Sequence, residues 1–199
     1  MELMKNNIYR AIAFLVFVAF SFSCATQKVT RVDPNTQIDI SGRWNDTDSK
    51  QVAEEMISDV LSKPWLVRFN EGHDSPPVVI IGEVLNKSHE HIASETFVKD
   101  VERAFINSGK VRVVENDYFR EKLREEVDNQ QANATEETRK AIARELGADM
   151  MMFGTINSIV DEGKKERVVN YKVNLELVDL ESTEKVWIGD KEIKKLVKK

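Results

Sequence analysis

The sequence predicts an α/β sandwich: a mixed, mostly antiparallel sheet with helices packed mainly on one face, closing in a C-terminal three-strand meander. Three observations carry this. Val169, Tyr171, Val173, Leu175 and Leu177 alternate with Asn170, Lys172, Asn174 and Glu176. That is the period-two pattern of a half-buried antiparallel strand with one wet face. PPVVIIGEV, residues 76–84, is a short, β-branched apolar run, the mark of a strand buried on both faces. Two segments, 52–61 before the 76–84 strand and 97–105 after it, repeat apolar residues at helical spacing.

The chain begins with a different signal. Lys5 and Arg10 precede an unbroken apolar run over 11–20, followed by serines and Phe22. The run is too short for a spanning helix, which needs roughly 20 residues. A basic start, a short apolar core and small residues at the exit describe a secretory signal peptide over 1–23. Cys24, the one cysteine of 199 residues, stands directly after it. A lone cysteine forms no intramolecular disulfide. Its position after a small residue, Ser23, resembles the bacterial lipoprotein signal, although Ser21 stands where such signals usually carry Leu. The resemblance implies cleavage before Cys24 and a covalent lipid on that residue, with no other cofactor. Three acyl chains anchor in effect permanently, since each buried CH₂ contributes about 0.8 kcal/mol. Ala25 rather than Asp at the next position resembles the sorting signal for the outer membrane.

Residues 24–41 read as the lipidated cysteine and a short flexible tether, and 42–199 as a single domain. Seventeen tether residues span about 60 Å at full stretch and about 23 Å as a coil. The first helix starts near Asp48, with Gln51 in capping-box position. Val52, Met56, Ile57, Val60 and Leu61 form its apolar face, and Pro64 ends it. Trp65 and Leu66 follow as core or lid. After the 76–84 strand, the loop NKSHEHIAS leads to a second helix capped by Ser94. Phe97, Val101, Ala104 and Phe105 face the core there, and Gly109 stops the helix. KVRVVE is the second strand. Asn116 opens a charged helix with Phe119, Leu123 and Val127, and a further helix runs to Leu146 with Gly147 as its stop. DMMMFGTINSIV is the third strand, with Gly154 a bulge or close-approach point. DEGKK and ESTE are turns around the alternating strand, and KVWIGDKEIKKL is the last one, its lysines blunting a sheet edge.

Chemistry is sparse. The chain carries 29 basic and 34 acidic residues, a net charge of −5; removing 1–23 leaves 27 against 33, or −6. A nucleic-acid footprint is usually basic, so nucleic acid is not an expected partner. His89-Glu90-His91 suggests a metal pair, yet zinc takes three or four ligands and only His73 remains elsewhere, so no metal site is expected. No phosphate-binding loop, dinucleotide fingerprint or nucleophile elbow is present. The acidic runs such as REKLREEV read as solvated helix face. These residues point to a lipid-tethered binding module that is not an enzyme.

Three stretches go further: SGRWNDTDS with Pro64–Trp65, PPVVIIGEVLNKSHEHI, and ARELGADMMMFGTI with VVNYKVNLELVDLESTEKVWIGDKEIKK. Together they resemble the penicillin-binding-protein activator lipoprotein (LpoB) family. The LGAD…G segment alone also resembles the N-terminal domain of TolB and the secretion lipoprotein CsgG. The resemblance implies a monomeric outer-membrane lipoprotein facing the periplasm, which binds a class A penicillin-binding protein and regulates peptidoglycan synthesis without an active site. The alternative is a secretion- or envelope-assembly lipoprotein of CsgG type. The tether here is shorter than the long proline-rich linkers of well-known members. Partner contact is expected at Asn86, Lys87, Ser88, His89 and His91, with Trp44 as an anchor.

Overall fold

The computed structural model describes residues 29–33, 36–114 and 147–198. The expected signal peptide, Cys24, residues 25–28 and 34–35 of the tether, and the helices expected over 116–146 lie outside the described residues. The described elements run α1 Asp46–Leu61, α2 Pro64–Gly72, β1 Val78–Lys87, α3 Ser94–Ser108, β2 Arg112–Val113, β3 Met150–Glu162, β4 Glu166–Asp179 and β5 Lys185–Lys198. One sheet joins the strands in the order β2-β1-β3-β4-β5. β1 pairs in parallel with β2 and β3, while β3-β4-β5 is an antiparallel meander. The predicted fold class holds.

The alternation in β4 does what its chemistry demands. Val169, Tyr171, Val173, Leu175 and Leu177 are each 0% exposed, because they face the sheet side on which α1 and α3 pack. Val52, Met56, Ile57 and Val60 of α1 and Phe97, Val101 and Phe105 of α3 meet them in one core. A second, smaller cluster of Val78, Ile80, Ala148, Met151 and Leu180 lies on the other phase of the strands.

Local details differ from the sequence reading. Helix α1 starts two residues before Asp48: Asn45 is the cap, its side chain accepting from the Asp48 N–H, and Asp48 accepts in return from the Asn45 N–H. Asp48 thus closes the box that it was expected to open. Pro64 does more than end a helix. It occupies the first turn of α2, where a missing N–H costs nothing. Trp65 and Leu66 are both buried, and the Trp65 indole donates to the Val60 carbonyl at 2.7 Å. In α3, Ser94 is the first helical residue and makes no cap bond, whereas Gly109 ends the helix at φ +65° as expected.

β1 continues to Lys87 because its register shifts between Ile81 and Val84. The shift inserts one residue, so Val84 returns to the core side and Asn86 becomes part of the strand end. Gly154 sits opposite this bulge and is the close-approach point: a Cβ there would overlap the Asn174 carbonyl oxygen. From Ser158 onward β3 has left β1 behind, and the β3-β4-β5 meander projects alone.

Candidate partner-binding loop and the entry segment

The loop 86–91 follows from the end of β1. Asn86 Oδ1 accepts from the Ser88 N–H at 3.0 Å, and its Nδ2 donates to the Glu90 carbonyl at 2.9 Å. The Ser88 hydroxyl lies 2.7 Å from Asn86 Oδ1 and 2.9 Å from the same carbonyl. Asn86 and Ser88 are therefore struts that hold the loop, both half-buried. Lys87, His89 and His91 are exposed on it. The His89 N–H donates to Ser158 Oγ at 2.9 Å, and its Nδ1 lies 2.7 Å from that oxygen. This pair resembles half of a hydrolytic site.

Glu90 is the residue that the sequence reading passed over. Its side chain is 11% exposed and points inward to Tyr171, against whose ring His89 stacks with centroids 6.2 Å apart. Oε1 accepts from the Trp44 N–H at 2.8 Å and from the Tyr171 hydroxyl at 2.6 Å. Oε2 lies 3.9 Å from Arg43 Nε. Burial, and then the hydrogen bond to the Glu90 carboxylate, hold the Tyr171 hydroxyl well above the usual phenol range. Trp44 is half-buried, its ring edge-on to Phe97 at 6.3 Å and to Tyr171 at 5.6 Å. The loop, the entry segment and the central strand are thereby joined at one carboxylate.

A second clamp lies beside it. Lys195 of β5 is buried and donates to Asp48 at 2.5 Å, Asp39 at 2.6 Å and the Arg43 carbonyl at 2.9 Å. Asp39, placed by sequence in the tether, is thus held against the sheet. Of the expected contact residues, the structure brings Lys87, His89 and His91 to one exposed turn and uses Asn86, Ser88 and Trp44 internally. Replacing Glu90 with Ala strands the Trp44 N–H and the Tyr171 hydroxyl. An unsatisfied buried polar group costs about 1–3 kcal/mol, so Glu90→Ala is expected to lose about 2–4 kcal/mol in urea unfolding. Retention of wild-type stability would show that water replaces the carboxylate.

Comparison with known proteins closes the description. The family model described as peptidoglycan-synthase activator LpoB matches residues 48–193. The C-terminal domain of LpoB from Escherichia coli superposes with a TM-score of 0.52 at 17% identity, over 73% of this chain and 98% of that one. The same domain from Salmonella enterica gives 0.49 at 15% identity, with the same coverage. Lipoprotein GNA1162 from Neisseria meningitidis gives 0.47 at 14% identity, over 60% of this chain and 83% of that one. No curated protein matches the sequence. Structural likeness at these identities speaks to the fold alone; the family match runs from Asp48, which closes the α1 cap, to Ile193 in β5, through every strand between. The chain belongs to the peptidoglycan-synthase activator LpoB family.

Proposed function

We propose that this chain is a lipid-anchored, outer-membrane regulator that binds a class A penicillin-binding protein as a monomer and activates it, with no catalysis of its own. The observation that carries the reading is the family match over 48–193. Membership supports peptidoglycan-synthase activation in general, and the signal-like N-terminus ending at Cys24 supports the anchor. Binding uses the exposed side chains Lys87, His89 and His91, on a turn that Asn86, Ser88 and Glu90 hold rigid. A rigid turn loses little freedom on docking, which favours affinity. Activation requires that the active state of the synthase be bound more tightly than the inactive one, since only differential affinity shifts an equilibrium.

A photo-crosslinker in place of His91, in the full chain in its own host, tests this. Capture of a class A penicillin-binding protein is expected. Introducing Cys24→Ala should release the chain from the membrane fraction and abolish the capture. Capture of the chain itself or of secretion components alone would replace the activator with an assembly protein. A Cys24→Ala chain that stays in the membrane fraction would refute the lipid anchor.

A further inference from the structure

One peptide group of the entry segment is held from both sides. The Arg43 carbonyl accepts from Lys195 Nζ at 2.9 Å. The Trp44 N–H, the other half of the same amide, donates to Glu90 Oε1 at 2.8 Å. The atoms of a peptide group lie in one plane, so its carbonyl and its N–H cannot turn separately. Lys195 of β5 and Glu90 of the 86–91 turn are thereby joined through a single rigid plate. The two bonds also reinforce each other, because a carbonyl that accepts from an ammonium makes its own N–H a better donor to a carboxylate. The Trp44 indole, edge-on to Phe97 and Tyr171, fixes where the plate sits; the two bonds fix how it is turned.

The residues just before this peptide fit β5 with no room to spare. Gly42 has φ +67°, a conformation that residues with a Cβ rarely adopt, and a Cβ there would overlap Val197 Cγ2. Asp39 accepts from Lys195 at 2.6 Å and from the Asn45 side chain at 2.7 Å, which closes the segment onto the cap of α1. All of these residues belong to the compact unit Gln37–Lys199. At the far side of the plate, the turn is tied to the rest of the domain by the His89 N–H on Ser158 and by the Glu90 carboxylate on Trp44 and Tyr171. A carboxylate only 11% exposed that loses the Trp44 N–H keeps its burial cost with one donor fewer, which favours its exit to water. Glu90 lies between His89 and His91, so its exit frees the backbone that presents both.

We propose that the Arg43–Trp44 peptide couples the two regions: docking of residues 39–43 on β5 holds the 86–91 turn in the form that meets its partner, and undocking of that segment loosens the turn. The proposal rests on the reading of the turn as the binding surface and adds its regulation. Whatever lifts residues 39–43 from β5 lowers affinity for the partner without touching a contact residue, because a loosened turn must be ordered again on docking.

Gly42→Ala, in the full chain in detergent, tests the coupling by amide hydrogen exchange read residue by residue. The new Cβ meets Val197 and touches neither Glu90 nor the turn. Exchange at the Trp44 and His89 amides is expected to rise together by at least about ten-fold, with the Val173 and Leu175 amides of β4 unchanged. Adding Val197→Ala removes the atom that the new Cβ overlaps, and should bring the His89 rate at least about three-fold back toward wild type. A rise at Trp44 with no change at His89 would overturn the coupling. An equal rise in β4 would overturn it too, since the segment would then leave only when the whole domain opens. No change at Trp44 either in Gly42→Ala or in Lys195→Met, which removes the donor to the Arg43 carbonyl, would show that β5 does not control this peptide and would overturn the proposal as well. Exchange is read on the free chain, so it decides the coupling independently of whether the turn binds a synthase, which the photo-crosslink at position 91 decides.

Discussion

Lys195→Met lowers the unfolding free energy by about 3–5 kcal/mol, the usual cost of breaking a buried ion pair from one side. The side chain of Lys195 is 8% exposed and that of Asp48 5%. Methionine fills the same space, so packing changes little. What remains is a buried carboxylate without its cation, and an entry segment without the bond that holds Asp39 and the Arg43 carbonyl. Urea unfolding at neutral pH measures the loss. Adding Asp48→Asn should recover part of it, because the amide oxygen still accepts from the Asn45 N–H while the unpaired charge is gone. A loss below about 1 kcal/mol would mean that the three groups behave as an exposed ion pair.

The pH dependence has a definite sign. Burial lowers the affinity of Lys195 for its proton, but the bonds to Asp39 and Asp48 outweigh it and hold the ammonium above its ordinary value. A raised folded value stabilises fully below the unfolded one, near 10.5, and is lost as pH rises through the folded value. Asp39 is shifted the other way, chiefly by its bond to Lys195, below an ordinary value of 3.8. Its contribution is present above 3.8 and lost as pH falls through the folded value. The wild-type advantage over Lys195→Met should therefore be flat from about pH 5 to 9 and should shrink at both ends.

What sequence alone could show follows from range. The strand 169–177 and the apolar faces of α1 and α3 were legible because their signal repeats within a few residues. The Glu90–Tyr171 bond joins residues 81 apart, and Lys195 reaches 147 and 156 residues back to Asp48 and Asp39. No local pattern encodes such partners. Glu90 sits between two exposed histidines, and only its distant partners Trp44 and Tyr171 turn it inward. For Lys195 a signal did exist. Trp187, Ile193 and Val197 share its phase in β5, and strict alternation puts Lys195 on their side. Reading the lysines together as edge blunting hid that one of them points at the core. The extension of β1 to Asn86 was hidden for another reason: a bulge resets the alternation, and period-two reasoning cannot cross it.

Gly154→Ala is expected to cost about 3 kcal/mol, the upper end for overpacking, and Gly154→Val more, enough to leave a domain of ordinary stability partly unfolded. Two effects oppose each other here. Removing a glycine from a strand reduces the freedom of the unfolded chain and alone would stabilise by up to about 1 kcal/mol. Against that, the new Cβ would overlap the Asn174 carbonyl oxygen and lie 2.6 Å from Leu175 Cδ2. A side chain can turn away; a carbonyl inside the β3-β4 ladder cannot move without breaking register. The bulge on β1 flanks the same residue, so β3 has no slack on either side. Gly163 in the hairpin turn serves as the control, since a Cβ there meets only the Glu166 carbonyl at 3.6 Å; Gly163→Ala should stay within about 0.5 kcal/mol. The consequence reaches the site, because β3 carries Ser158, the anchor of the His89 backbone. Partial denaturation curves of the two alanine variants decide the matter. Equal stability would show that the ladder yields at Gly154, and that the loop is held by the Glu90 clamp without help from strand register.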